Sequence, residues 1–231
     1  MSHVEDLDAA LLGAKAIPQL HLGDVDEAYV VQAQLVRRRL DRGEKLVGVK
    51  MGLTSKAKMA QVGVDQVIWG RLTDAMRVPE GGTVPLEGFI HPRIEPEVAF
   101  LVRDGAIAAV APALEIIDSR YADFKFTLPD VIADNTSAAA FAIGPWSPVP
   151  SNVDNLGVLL EVDGAVAQVG STAAILGDPR RAFEQGAGMV GELVDGWVFL
   201  AGAATAAVPL EPGAFVRAVV EGLGSASVRA A

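Results

Sequence analysis

The sequence has 231 residues, 51% hydrophobic and 21% charged, the balance of a folded chain with room for a real core rather than of a disordered one. It contains no cysteine, which excludes disulfide frameworks, thiolate metal sites and cysteine nucleophiles and leaves oxygen or imidazole as metal ligands. A net charge of -10, a pI near 4.7 and scattered basic residues argue against nucleic acid as a partner, so an anionic substrate must meet a local positive centre such as a bound cation with lysines beside it.

Residues Met1 to Leu20 lack the basic start and continuous apolar stretch of a secretion signal. No segment supplies about 18 uninterrupted apolar residues for a membrane span, and a cytoplasmic chain is expected. Asp24 is placed to cap a helix over residues 25–42, with Tyr29, Ala33, Val36 and Leu40 at three-four spacing and Gly43 to end it. A short strand follows at Leu46 to Lys50. Gly52 then allows a sharp turn, and Thr54 or Ser55 can cap a second helix that stops near Gly63.

From Gly81 the texture is β-rich, with runs at 93–102, 105–117, 156–162, 165–170, 197–201 and 214–221 between proline and glycine punctuation. Asp104-Gly105 and Asp163-Gly164 read as tight hairpins. Asp178-Pro179 reads as a cap and first helical residue for a helix reaching about Gly191. No glycine-rich phosphate loop lies in a strand-to-helix context. The order predicts an α+β fold, with a helical region at 1–80 contributing to the site and a β-rich catalytic region at 81–231.

Strand alternation in Arg93-Ile94-Glu95-Pro96-Glu97-Val98 puts Glu95 and Glu97 on one face with Cα atoms about 6.6 Å apart, so both carboxylates can reach one hard divalent ion. A solvated strand face in an acidic protein gives the same spacing, and spacing alone leaves both readings open. Glu115, in Ala113-Leu114-Glu115-Ile116-Ile117, is an acid among residues that seek burial, and a buried carboxylate needs a partner. That partner is either Arg120, in an ion pair, or the ion held by the first two acids. Asp118 competes as a ligand or serves as a supporting acceptor.

Lys50, ending a strand just before a helix start, and Lys125, between Phe124 and Phe126, are the lysines most embedded in apolar or turn sequence and the candidates for proton handling beside a cation. His3, His21 and His91 are isolated from one another in sequence and stand outside the metal set. Asp134-Asn135-Thr136-Ser137 enters the small-residue run Ala138-Ala139-Ala140, either as a capped turn or as donors around a substrate. The helix start at Thr54-Ser55 offers free backbone amides to a carboxylate.

Val49-Lys50-Met51-Gly52-Leu53-Thr54-Ser55, Glu95-Pro96-Glu97, the segment from Glu115 to Lys125, Ala133-Asp134-Asn135 and the closing Gly222-Leu223-Gly224-Ser225 occur in this order. From about residue 25 to its end the chain resembles the 2-keto-4-pentenoate hydratase and 4-oxalocrotonate decarboxylase group of the fumarylacetoacetate hydrolase superfamily. The resemblance implies a mixed β-roll, a Mg2+ or Mn2+ ion held by Glu95, Glu97 and Glu115, and a catalytic role for Lys50. It assigns substrate contacts to Leu53, Thr54, Ser55, Ile68, Lys125, Asn135 and Ser137. The stretch Val98 to Leu114 is shorter than in relatives, where a helix usually intervenes.

Within the group, Lys50 to Gln61 and Asp118 to Phe126 are most similar to the decarboxylases. Hydratases usually carry Pro-Asp before an aromatic-Gly pair, whereas Val67-Ile68-Trp69-Gly70 has Ile68 at the acid's position, as suits a site that keeps water from a reactive dienolate. The implied activity is metal-dependent loss of carbon dioxide from 2-oxo-3-hexenedioate, giving 2-hydroxypenta-2,4-dienoate in aromatic meta-cleavage catabolism, with the ion as Lewis acid and no organic cofactor. The alternatives are the hydratase, an acylpyruvate hydrolase of the same superfamily, and a non-catalytic metal-binding partner subunit. A homo-oligomer and association with a sister hydratase are also expected.

Overall fold

In the computed structural model, which describes residues 2–55, 59 and 66–231, two helices open the chain. Helix α1 (His3–Gly13), where the sequence reading placed no element, starts on a reciprocal cap between Ser2 and Glu5 and packs against α2 (Val25–Asp41). Helix α2 begins as predicted, with the Asp24 carboxylate accepting from the Glu27 amide. Its buried stripe is Ala28, Val31, Gln32, Leu35 and Val36, so the expected stripe through Ala33 is rotated and Ala33 is exposed. The cause is Gln32, whose side-chain amide donates to the carbonyls of Trp69 and Ile132 at 2.9 and 3.0 Å and is thereby satisfied inside.

The strands are β1 (Leu46–Gly52), β2 (Ile68–Thr73), β3 (Thr83–Val84), β4 (Arg93–Arg103), β5 (Ala106–Ile117), β6 (Ala138–Ile143), β7 (Gly157–Val162), β8 (Ala165–Ser171), β9 (Val198–Ala203), β10 (Val208–Pro209), β11 (Phe215–Val220) and β12 (Gly224–Ala230). Helix α3 (Leu128–Ala133) precedes β6, and α4 (Pro179–Val190) follows β8 on the predicted Asp178 cap. Each β run anticipated from sequence is present. Asp104-Gly105 and Asp163-Gly164 both take the positive φ values of tight hairpins. The sharp turn assigned to Gly52 falls instead on Leu53, at φ 56°, and Gly52 ends β1. The predicted helix from Thr54 or Ser55 to Gly63 lies largely outside the described residues; within them, the Met59 amide donates to the Ser55 carbonyl at 2.9 Å.

Two mixed sheets result. The larger runs β2-β1-β9-β4-β5-β6, with β10 paired to β4, and the smaller runs β3-β12-β11-β7-β8. In a flat sheet β1 and β5 would lie about 14 Å apart, three strand spacings, yet side chains from the two strands meet. The larger sheet is therefore strongly curled. Just past β2, Arg77 bridges Phe141 of β6, and the Val78 amide donates to the Phe141 carbonyl at 2.8 Å, which brings the two outer strands together.

Inside this roll, Leu72, Ala99, Ala111, Ala113, Phe141 and Leu200 form a packed apolar plug. On its outer face Ile94, Leu114 and Ile116 pack against Leu160, Val216, Ala218 and Val228 of the smaller sheet. Elsewhere on that face Phe100 and Phe199 receive Phe183 of α4 edge-on at 6.1 and 5.0 Å. Helices α1, α2 and α3 form a third cluster with Ile68 and Tyr121. No helix among the described residues is long and apolar enough to cross a membrane.

Candidate metal centre

One end of the roll interior is apolar, and the other holds acids. A single hairpin joins β4 to β5, and its register sets Glu95 opposite Glu115, while Glu97 lies two residues further along the same face. A carboxylate oxygen from each of the three lies within 4.8 Å of the others. Their exposures are 3%, 1% and 0% for Glu95, Glu97 and Glu115, which removes the solvated-face reading of the Glu95/Glu97 pair.

Glu97 and Glu115 each have a donor among the described residues. The Gly202 amide donates to Glu97 Oε2 at 2.8 Å, and Lys50 Nζ lies 3.0 Å from Glu115 Oε1. Gly202 has φ 119°, and a Cβ there would fall 2.0 Å from Thr54 Oγ1, so only glycine lets β9 bring its amide this close. Lys50 Nζ also donates to the Thr136 carbonyl at 3.1 Å, which fixes the ammonium between the acids and the turn before β6.

Glu97 Oε1 and Glu115 Oε2 have no hydrogen-bond partner among the described residues. Burial, and then the Glu115 and Glu95 charges, push the Glu97 carboxyl well above the usual carboxylate range. Burial likewise raises Glu115, against the pull of Lys50. Three converging, buried, mutually repelling hard oxygen donors, with oxygens of Glu97 and Glu115 that have no hydrogen-bond partner among the described residues, fit a divalent cation.

The other acids have different work. Asp118 accepts from the Ile90 and His91 amides at 2.9 and 2.8 Å, so it ties down the approach to β4. Arg120, weighed as the partner of Glu115, pairs instead with Asp134, through both its guanidinium and its backbone amide.

A cavity of about 470 Å³ opens over the acids, lined by Lys50, Leu53, Ser55, Ile68, Arg93, Glu95, Ile117, Phe124, Phe126, Val131, Thr136, Ser137 and the segment from Ala203 to Ala207. Of the anticipated substrate contacts, Leu53, Ser55, Ile68 and Ser137 are on its wall, and the buried Ser137 hydroxyl has no partner among the described residues. Thr54 is buried behind the wall against Gly202. Asn135 is occupied by β2: its side chain accepts from the Arg71 amide at 2.8 Å and donates to the Arg71 carbonyl at 2.9 Å. Lys125 does not line the cavity; its side chain is 74% exposed and 3.6 Å from Asp123.

Thr136, part of the Asp134-Asn135-Thr136-Ser137 donor cluster read from sequence, is on the wall, whereas Phe124, Phe126, Arg93 and Gly202 were not anticipated as site residues. Arg93 was legible, since strand alternation puts it on the face of Glu95 and Glu97. Gly202 carries no local signal.

Because folding raises Glu97 and Glu115, the metal-free native state holds their protons more tightly than the unfolded chain does. Its stability is thus lost as pH rises above the ordinary glutamate range. A divalent ion held by these acids would replace those protons. We expect Mg2+ to raise Tm more at about pH 8 than at about pH 6, with proton release on binding in calorimetry. A gain that shrinks with rising pH would place the ion elsewhere.

No family model matches the chain. A 4-oxalocrotonate decarboxylase from a Pseudomonas species is 49% identical over 240 residues, covering 96% of this chain and 94% of its own length. A 2-hydroxypent-2,4-dienoate hydratase from Pseudomonas putida is 37% identical over 171 residues, 67% of this chain and 77% of that one. The solved structure of the 4-oxalocrotonate decarboxylase from Pseudomonas putida G7, complexed with magnesium and adipate, superposes with a TM-score of 0.92 at 37% identity, covering 99% of this chain and 95% of that chain. The curled mixed sheet with its buried acids is thus the fold of the fumarylacetoacetate hydrolase superfamily. Within it, the chain belongs to the 4-oxalocrotonate decarboxylase and 2-keto-4-pentenoate hydratase family.

Proposed function

We propose that the chain is a divalent-metal-dependent decarboxylase that converts 2-oxo-3-hexenedioate to 2-hydroxypenta-2,4-dienoate and carbon dioxide. The observation that carries this reading is the cluster of Glu95, Glu97 and Glu115 beside Lys50, opening on a cavity whose wall at position 68 is isoleucine. The decarboxylase relative at 49% identity supports it, as do the magnesium and six-carbon dicarboxylate held by the similar solved structure. Glu95, Glu97 and Glu115 would hold Mg2+ or Mn2+. When bound, the ion supplies Lewis acidity at the substrate's C2 oxygen and orients the 2-oxo acid.

The chain's own residues do the rest. As the C5–C6 bond breaks, its electron pair moves through the conjugated chain toward the C2 oxygen, carbon dioxide leaves, and one proton on that oxygen completes the product. Lys50 Nζ, held by Thr136 and Glu115, is the group placed to supply it. Leu53, Ile68, Ile117, Phe124 and Phe126 exclude water from the developing charge, and Ser137 offers its free hydroxyl to substrate.

Residues 1–80 serve as a region that completes the site, since they supply Lys50, Leu53 and Ile68, and 81–231 serve as the β-rich catalytic region. A cytoplasmic homo-oligomer working in aromatic catabolism beside a sister hydratase fits this reading. The 37% identical hydratase favours that kinship and supplies the second reading, dienoate hydration.

With Mg2+ and 2-oxo-3-hexenedioate the chain is expected to release trapped carbon dioxide and to hydrate 2-hydroxypenta-2,4-dienoate poorly, because Ile68 cannot position or deprotonate water. Ile68→Asp is expected to slow decarboxylation about 10-fold or more by bringing charge and water to the apolar wall. Efficient hydration without carbon dioxide release would replace the first reading by the second, and turnover of acylpyruvates in the same assay would replace both by hydrolysis.

A further inference from the structure

We infer that Arg93 is the recognition residue for the second carboxylate of the substrate and sets selectivity for dicarboxylates; the inference rests on the reading that Glu95, Glu97 and Glu115 anchor a 2-oxo acid through a metal ion. Arg93 opens β4 two residues before Glu95, so their Cα atoms lie about 6.6 Å apart on one strand face. Both side chains line the same cavity. The guanidinium carbon sits 4.8 Å from the centroid of the Phe124 ring, and no carboxylate among the described residues lies within ion-pair distance of it. This is unlike Arg120, Arg180 and Arg217, each of which sits against an acid.

The surface that presents Arg93 is itself built at a cost. Asp123 and Phe124 are consecutive residues at φ 58° and 55°, and a bulky aromatic side chain rarely adopts the left-handed region without a compensating role. The turn sets the Phe124 ring against both Arg93 and the His91 ring, whose centroid is 4.5 Å away. Stacking on an aromatic face orients a guanidinium and leaves its N–H fork free for an anion. A six-carbon chain with carboxyl groups at both ends spans about 6 Å between its terminal carbons at standard bond lengths, which matches the step from Glu95 to Arg93.

Chemistry fixes what kind of selectivity follows. The second carboxylate leaves as neutral carbon dioxide, so its pairing with Arg93 is present in the bound substrate and fades as the bond breaks. Arg93 thus acts in capture: its loss raises KM and, because the contact is weaker in the transition state than in the bound substrate, does not lower kcat.

The test is calorimetry with Mg2+ and two unreactive probes that differ only at the far end, 2-oxohexanedioate and 2-oxohexanoate. The unmodified protein is expected to prefer the dicarboxylate by about 10-fold to 100-fold, the scale of a charge-assisted bidentate contact. Arg93→Met is expected to abolish that preference while binding the monocarboxylate normally, and Arg93→Lys to restore part of it. Equal weakening of both probes, a preference that survives Arg93→Met, or none in the unmodified protein each overturns the inference. Carbon dioxide release is read separately: selective binding through Arg93 without release removes the decarboxylase reading and keeps the subsite, and release with selectivity independent of Arg93 does the reverse.

Discussion

Glu97→Gln is expected to fold, to lose Mg2+ binding and to lose turnover by about 1000-fold or more, since the Lewis acidity of a bound ion is worth several kcal/mol and each 1.36 kcal/mol is a factor of ten. The substitution removes one charge with little change of shape, and a glutamine oxygen can still accept the Gly202 amide. In metal-free protein it is expected to raise Tm, because Glu97 is buried beside two other acids, and burial and their charges push its carboxyl well above the usual carboxylate range. A variant with reduced activity, normal Mg2+ affinity and a lowered Tm would make Glu97 structural. Full activity of the unmodified protein after exhaustive chelation would end the metal hypothesis altogether.

Lys50→Met is expected to cut turnover by about 100-fold or more, the usual contribution of a positioned acid-base group. Its effect on stability separates chemistry from packing. Removing the ammonium leaves Glu115 without its cation, and breaking a buried pair costs about 3–5 kcal/mol, so metal-free Tm falls. Mg2+ supplies the missing charge and is expected to restore most of that Tm while leaving turnover low. If Mg2+ restores both, Lys50 is a counter-ion and nothing more.

What the sequence made readable follows how local each signal is. Asp24, Asp178 and the two Asp-Gly pairs act on backbone within a few residues, and the helices and hairpins they predicted are present. Strand β6 is Ala138–Ile143, mostly alanine, which has no strand preference of its own and is held by its neighbours β5 and Phe141's burial, so composition concealed it. Among the candidate site residues, the acids of one hairpin were legible because alternation and register are short-range rules. The neighbours that complete the arrangement, Gly202 and the Thr136 carbonyl, arrive through sheet order and through three consecutive residues at positive φ, Asn135, Thr136 and Ser137. Nothing in those residue types announces either. Lys125 misled for the opposite reason: flanking phenylalanines suggested enclosure, but the turn sends them to the cavity and the lysine outward.

The register of the larger sheet also orders events during folding. The β4–β5 hairpin is local and can close early, yet it sets Glu95 against Glu115, a like-charged cross-strand pair that opposes zipping at that end. Relief comes from Lys50, whose strand is held in the sheet by a parallel pairing with β9, where Lys50 faces Leu200. That contact spans most of the chain, so it forms late and only after a large loop has been closed. A cation held by these acids would therefore find its full set of ligands and their supporting lysine only in the nearly finished roll. Its binding energy would fall on the native side of the folding barrier, where it would slow the opening of the molecule rather than hasten its formation.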